Sequence, residues 1–155
     1  MCKKHASIQL IYGSNGSGKS QLVRKLMKKQ GSYLFGFNDY FSQNYVNREK
    51  VEDMFKNLTG KSLSDITSSN YSQKSILMFC YELEAIMEMQ EPYSKLFIDE
   101  IPFEIDNSTV NNFLELFSDL SNHNFKVTFT TCKKYIKDFF TEYFKDNPDF
   151  KLVEL

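Results

Sequence analysis

Arginine is scarce in this chain of 155 residues, which has only Arg24 and Arg48. The three cysteines, Cys2, Cys80 and Cys132, are odd in number and lack metal-ligand spacing, which favours reduced thiols over a disulfide framework. No stretch approaches the roughly 20 apolar residues that cross a bilayer. The first residues, Met-Cys-Lys-Lys-His, do not have the pattern of a cleavable signal. We therefore expect a cytoplasmic protein without a membrane span.

The charge balance gives no general attraction to nucleic acid or to an anionic membrane. The net charge is −1, and the hydrophobic content of 41% and charged content of 25% are ordinary for a globular protein. Lysines cluster near residues 25–29 and 133–137, at the ends of predicted helices, where the helix dipole favours cations without any ligand. We therefore expect no nucleic acid as a direct ligand. The length fits a single domain over residues 1–155.

Apolar runs alternate along the chain with segments of helical periodicity. The runs predict strands over residues 8–12, 32–37, 95–100, 125–131 and 150–155. The periodic segments predict helices over residues 21–27, 48–58, 73–90, 108–120 and 133–144. Strands that alternate with helices imply a mostly parallel sheet covered on both faces. The sequence thus predicts an α/β fold in three layers.

Residues 13–20 read Gly-Ser-Asn-Gly-Ser-Gly-Lys-Ser, a complete match to the P-loop pattern G-x-x-x-x-G-K-[ST]. The glycines allow the main chain to curl around phosphate oxygens, and the curled N–H groups form an anion nest at the start of the next helix. Lys19 supplies positive charge for the β- and γ-phosphates, and the Ser20 hydroxyl is placed to bind Mg²⁺. The residues that we expect to contact the nucleotide are Gly13, Ser14, Asn15, Gly16, Ser17, Gly18, Lys19, Ser20 and Gln21. The motif therefore predicts a P-loop NTPase core.

Two acids, Asp99 and Glu100, follow the apolar run Leu96-Phe97-Ile98. Ligands of parallel sheets bind beyond the carboxyl ends of the strands, so these acids are expected at the same edge as Lys19. Asp99 would hold Mg²⁺ together with Ser20. Glu100 and Lys19 are the predicted catalytic residues, since Glu100 would orient or deprotonate the attacking water.

With these motifs the chain resembles the ATP-binding cassette (ABC) ATPase superfamily. Asp106 follows Asp99-Glu100 at the spacing of the family's D-loop aspartate, and the resemblance implies that Asp106 lies at a dimer interface. Gln43 matches the Q-loop glutamine, which senses Mg²⁺ and water. Residues 70–74, Asn-Tyr-Ser-Gln-Lys, occupy the place of the signature segment, and a polar helix cap is the alternative reading.

The resemblance covers residues 8–132, with departures from the family pattern. Cys132 stands after Thr130-Thr131 where the family has a switch histidine, and the signature glycines are missing. A thiol is a weak hydrogen-bond donor, so we expect slow or partner-stimulated hydrolysis. The short interval between Lys19 and Asp99 indicates a reduced core from a non-transporter branch. The implied partners are a second copy, bound in the presence of ATP, or a protein effector.

Two alternatives remain open. A small P-loop kinase would phosphorylate a nucleoside or other metabolite, but such enzymes place arginines on the transferring phosphoryl group, and this chain has few arginines. An ATP-dependent switch would bind Mg²⁺ and ATP with little turnover, and would use them to order a surface for a partner. Our principal prediction is a Mg²⁺-dependent ATPase.

Overall fold

The computed structural model describes residues 7–28, 31–35, 47–66, 70–88, 94–101 and 104–155. Within them the strands are β1 (Ile8–Tyr12), β2 (Ser32–Phe35), β3 (Lys95–Ile98), β4 (Lys126–Thr131) and β5 (Phe150–Glu154). The helices are α1 (Lys19–Leu26), α2 (Arg48–Thr59), α3 (Tyr71–Glu88), α4 (Asn107–Asn122) and α5 (Lys134–Tyr143), with one 3₁₀ turn at Leu63–Asp65. Each predicted element is present, with ends that differ by a few residues.

The five strands form one sheet in the order β2-β3-β4-β1-β5. The pairs β3–β4, β4–β1 and β1–β5 are parallel, with Leu10 beside Phe129 and Ile98 beside Phe129 in register. The predicted α/β fold with a mostly parallel sheet is therefore confirmed. The strand that carries the P-loop, β1, is separated by β4 from β3, the strand that precedes the two acids.

The described residues divide into two compact units, one within residues 1–34, 93–100 and 113–155 and the other within residues 35–92 and 101–112. In the first unit, α1 covers one face of the sheet: Ile11 and Phe97 are buried against Val23. The other face packs on α4 and α5, since the ring centroid of Phe129 lies 5.9 Å from that of Phe117 and 5.2 Å from that of Phe140. Alternation along the strands thus supplies two apolar faces and three layers. The prediction of one domain over residues 1–155 is not tested by this division.

The second unit is built on the pair α2 and α3. Phe55, Leu58 and Leu83 are buried in it, and the rings of Phe35 and Phe79 lie 4.9 Å apart. The Asn112 side chain donates a hydrogen bond to the Leu58 carbonyl at 3.0 Å. No described helix has the length and hydropathy that crossing a membrane requires.

Two strands end differently from their predicted bounds. Strand β3 stops at Ile98 instead of residue 100, because the Asp99 carboxylate accepts a hydrogen bond from the backbone N–H of Glu100 at 2.8 Å. This local bond removes the Glu100 donor from the sheet ladder. The described part of β2 ends at Phe35, and the rest of its predicted span lies outside the described residues.

A buried carboxylate in α3 makes the stability of the second unit depend on pH. The Glu84 side chain is only 4% exposed, and its nearest cation, the Lys50 ammonium, is 3.9 Å away and itself well exposed. Burial raises the pKa of Glu84 above its ordinary value of 4.5, and a hydrogen bond with Glu88 acts in the same direction. The folded state therefore holds this proton more tightly than the unfolded state, and ionisation of Glu84 destabilises the fold as pH rises through the raised pKa.

We predict that Glu84→Gln raises the free energy of unfolding at pH 8 by about 1 kcal/mol, because the amide carries no charge to desolvate. The gain should shrink at pH 4, below the ordinary value of 4.5, where the carboxyl is mostly neutral in the folded and the unfolded chain. Urea unfolding at both pH values measures the difference. Glu52→Gln, at an exposed position of α2, is the control and should leave stability unchanged at both pH values. An equal gain at pH 4 and pH 8 would contradict the charge argument.

Candidate functional site

The P-loop follows β1 directly and leads into α1, as the motif requires. Gly18 is the N-cap residue of α1 with φ of 97°, a left-handed conformation that favours glycine. The helix begins with the Leu22 N–H bonded to the Gly18 carbonyl at 3.0 Å. Among the described residues no side chain caps this helix, and its first turn contains no acid. The N-terminus of α1 therefore keeps donor groups and a positive dipole end for an anion.

Three other helices, α2, α3 and α4, start with a capping side chain, whereas α5, like α1, has none within the described part of the chain. The Asn47 side chain accepts from the Lys50 N–H at the start of α2, and Asn70 accepts from the Gln73 N–H at the start of α3. At the start of α4, Asp106 accepts from the Thr109 N–H at 2.7 Å. At α1 glycine stands at the N-cap position, so the N–H groups of the first turn are left for water or for an external anion.

The space around residue 13 leaves no room for a side chain, so glycine is required there. A Cβ added there would lie 2.4 Å from the Ser17 hydroxyl oxygen and 3.2 Å from the Leu155 Cβ, both closer than normal contact. The Ser17 oxygen is buried and has no hydrogen-bond partner among the described residues. The loop is thus tightly packed at Gly13, against the Ser17 side chain and Leu155.

Lys19 already lies against the loop. Its ammonium donates to the Gly13 carbonyl at 2.6 Å and to the Ser14 carbonyl at 2.9 Å. An ammonium has three donors, so one remains after these two bonds. The side chain is half-buried, which strengthens its interaction with an anion compared with a fully solvated lysine.

The loop, α1 and the two acids surround a cavity of about 500 Å³. Its lining residues are Asn15, Gly16, Ser17, Gly18, Lys19, Ser20, Gln21, Asp99 and Glu100. This volume lies within the range of about 300–1,000 Å³ that holds small ligands in proteins. The structure therefore brings the predicted P-loop residues together with both predicted acids.

The two acids are held from the end of β4. The Asp99 Oδ1 atom accepts from the Thr130 hydroxyl at 2.8 Å, in addition to the Glu100 N–H. The Glu100 Oε1 atom accepts from the Thr131 hydroxyl at 3.0 Å, and its Oε2 atom accepts from the Cys132 N–H at 2.5 Å. Both carboxylates are half-buried. Their orientations are thus fixed by neighbouring donors, while the Asp99 Oδ2 atom has no donor among the described residues.

Thr130 and Thr131 are the residues whose part in the site sequence reasoning missed. Both are fully buried, and threonine is common in strands for its β-branched shape alone. The available signal was a pair of adjacent hydroxyls at the carboxyl end of an apolar strand. This signal has a functional meaning only because β4 lies beside β3, which lets the two hydroxyls reach the two acids.

The remaining predicted residues lie elsewhere. Asp106 belongs to the second unit, where it lines a cavity of about 190 Å³ with Asn70 and Gln73. Hydrogen bonds from the Thr109 backbone and side chain and from the Ser108 hydroxyl hold the pKa of Asp106 below its usual value. Asn70 is a helix cap, which agrees with the alternative reading of the segment over residues 70–74. Gln43 lies outside the described residues.

A solved structure described as the ATP-binding subunit of an ABC transporter is similar to this chain, with a TM-score of 0.55 and 11% sequence identity. The match covers 96% of this chain and 75% of that one. No protein-family model and no curated protein sequence matches the chain. At this identity the likeness concerns the fold, which is α/β and of the P-loop NTPase kind.

Crowding at Gly13 gives a test of the loop geometry. We predict that Gly13→Ala lowers the free energy of unfolding by about 1–3 kcal/mol, because the added methyl overpacks the space beside Ser17. In a Ser17→Ala background, which removes the nearest atom, the same change should cost about 1 kcal/mol less. Urea unfolding of the four proteins of this cycle gives the coupling energy.

Gly60→Ala is the control for the cycle, since an added Cβ there meets nothing within 4 Å. Its cost should be equal in both backgrounds. A Gly13→Ala cost that does not depend on residue 17 would show that the crowding beside Ser17 is not what excludes a side chain at residue 13.

Proposed function

We propose that this protein binds ATP with Mg²⁺ on the P-loop and is an ABC-like ATPase whose hydrolysis is slow or stimulated by a partner. One observation carries the proposal: an uncapped helix N-terminus, Lys19 and two fixed acids surround one cavity of about 500 Å³. The similar solved structure, described as an ATP-binding subunit, supports ATP as the nucleotide. The free thiols of Cys80 and Cys132 support a reducing compartment, the cytoplasm.

Each residue of the site then has a defined task. The backbone of residues 13–20 and the Lys19 ammonium bind the phosphates, and Gln21 lines the same cavity. Ser20 and Asp99 hold Mg²⁺, which neutralises phosphate charge when it is bound. Glu100 accepts the proton of the attacking water or orients that water. Gln43 is assigned to the same water by resemblance.

The oxygen donors suit Mg²⁺. Among the described residues, no group of three or more His, Cys, Asp or Glu side chains is arranged to hold a metal ion. Mg²⁺ commonly uses one or two protein oxygens and takes its other ligands from water and substrate phosphates. A hydroxyl at Ser20 and a carboxylate at Asp99 match this pattern, and the Asp99 Oδ2 atom is the one left free by the Thr130 and Glu100 donors.

The state of Glu100 favours slow turnover and keeps the switch function as a second candidate. Both of its oxygens accept protein hydrogen bonds, so each has one lone pair less for water. Cys132 provides a backbone N–H to Glu100 but no imidazole for a γ-phosphate. A protein with this site would remain in the ATP-bound state until a partner, or a second copy docked through the Asp106 region, completes it.

We predict that Lys19→Met lowers the affinity for Mg-ATP at least about tenfold, because a charge-assisted contact to phosphate is lost. Equilibrium binding of a fluorescent ATP analogue measures the change. Lys25→Met is the matched control, since Lys25 lies on the exposed side of the same helix and should leave affinity unchanged. Equal losses in both variants would mean that general positive charge, and not the P-loop lysine, binds the nucleotide.

We predict that Glu100→Gln lowers steady-state phosphate release by about 10²–10⁴-fold while Mg-ATP stays bound, because the amide cannot accept the proton. Phosphate release and sedimentation velocity are measured on the same preparation. If a second copy is the partner, this variant should show twice the monomer mass with Mg-ATP and the monomer mass with Mg-ADP.

Three outcomes would contradict this assignment. Unchanged phosphate release in Glu100→Gln would remove Glu100 as the catalytic residue. Equal mass with and without Mg-ATP would exclude the dimer and leave a protein effector. Transfer of phosphate to an added nucleoside, without release to water, would replace the ATPase by the kinase.

A further inference from the structure

We propose that Thr131 is a positioning residue that couples the P-loop to Glu100. This inference rests on the proposed function, because it concerns how Glu100 is aimed at the phosphate cavity. It adds a residue to which no role in the reaction has been given so far. Thr131 is fully buried, and three of its hydrogen bonds join it to Gly13, Glu100 and Lys133.

The first bond joins Thr131 to the loop. In the sheet Thr131 lies in register beside Tyr12, the last residue of β1. The Thr131 carbonyl accepts from the Gly13 N–H at 3.2 Å, so the parallel ladder continues into the first residue of the P-loop. The start of the loop is therefore fixed relative to the Thr131 backbone.

The second bond joins Thr131 to the acid. The Thr131 hydroxyl donates to the Glu100 Oε1 atom at 3.0 Å, and a hydroxyl has a single proton to donate. The third bond fixes the direction in which the hydroxyl donates, because the Thr131 hydroxyl oxygen accepts from the Lys133 N–H at 3.0 Å. With the Lys133 N–H facing its lone pair, the hydroxyl proton points towards Glu100.

The Glu100 carboxylate is thus held at two points. Thr131 holds Oε1, and the Cys132 N–H holds Oε2 at 2.5 Å. Two points fix the plane of a carboxylate, whereas one point leaves it free to rotate about the remaining bond. Loss of the Thr131 hydroxyl would release this plane while leaving the acid, the loop sequence and the strand backbone unchanged.

Misorientation should affect turnover more than binding. A displacement of about 1 Å at a reacting group can reduce a rate on the order of a hundredfold. The phosphates are bound by the loop and Lys19, none of which uses the Thr131 hydroxyl. We therefore expect kcat to depend on the hydroxyl and KM to be nearly independent of it.

The test uses the full chain with Thr131→Val, which keeps the β-branched shape, and Thr131→Ser, which keeps the hydroxyl. Thr131→Val should lower kcat for ATP at least about tenfold with KM within about twofold, and Thr131→Ser should restore most of the rate. Thr128→Val is the control, because Thr128 is also buried on β4 but donates to neither acid. This variant should behave like the natural protein.

Amide hydrogen exchange at Cys132, measured by NMR without nucleotide, provides a readout that does not require hydrolysis. Neither the Cys132 N–H nor its acceptor is altered in Thr131→Val, so its exchange reports whether Glu100 has been released. We expect exchange about tenfold faster than in the natural protein and in Thr128→Val, because a carboxylate held at Oε2 alone breaks its bond to the Cys132 N–H more often.

The outcomes separate this inference from the proposed function. An unchanged or increased kcat in Thr131→Val, or unchanged Cys132 exchange, overturns the role of Thr131. If the natural protein binds ATP without releasing phosphate, the ATPase proposal fails, and Cys132 exchange alone decides whether Thr131 holds Glu100. If it binds no ATP, the whole proposed function fails, and the same exchange measurement still decides for or against Thr131.

Discussion

The parallel pairing of β4 between β1 and β3 is the constraint on which the site depends. Neighbouring strands lie about 4.8 Å apart, so β1 and β3 are separated by roughly 10 Å. This separation leaves room for a phosphate group between the loop that follows β1 and the acids that follow β3. Strand β4 ends in that space with two hydroxyls and a backbone N–H directed at the acids. The sheet thus fixes both the width of the site and the orientation of its carboxylates.

The sequence predicted the elements well because each contains its own local signal. The run 8–12 is apolar and short, and the P-loop pattern of residues 13–20 determines both its strand and its helix. Asp99 and Glu100 were placed at the correct edge because parallel strands end together. The order of the strands carries no such signal, because it depends on which strand pairs with which across the whole chain. The bonds from Thr130 and Thr131 depend on that order and could not be predicted.

Asp106 and Asn70 illustrate a second limit of sequence reasoning. Asn and Asp favour helix N-caps because their side chains accept from the exposed N–H groups of the first turn. The same small polar residues are common in loops that contact phosphates or partners. In the structure both residues cap helices, and Asp106 uses one carboxylate oxygen for the Thr109 N–H and the Ser108 hydroxyl. Capping and docking therefore require the same residue types, and the residue type alone does not separate them.

Two charged residues of the site, Lys19 and Glu100, are already held by protein hydrogen bonds, and for the proposed function this has opposite consequences for binding and for turnover. Lys19 is held by two carbonyls, which are neutral acceptors, and phosphate oxygens form stronger charge-assisted bonds to an ammonium. Replacement of these carbonyls by phosphate oxygens therefore favours phosphate binding. The Lys19 side chain loses little further conformational freedom in the exchange. Both Glu100 oxygens already accept from protein donors, so a water that passes its proton to Glu100 must donate to one of the remaining lone pairs. The same rigidity that prepares the loop for phosphate thus limits the acid to the lone pairs that β4 leaves free. In the proposed ATPase, turnover would depend on where those lone pairs point, which is set by β4 and not by the P-loop.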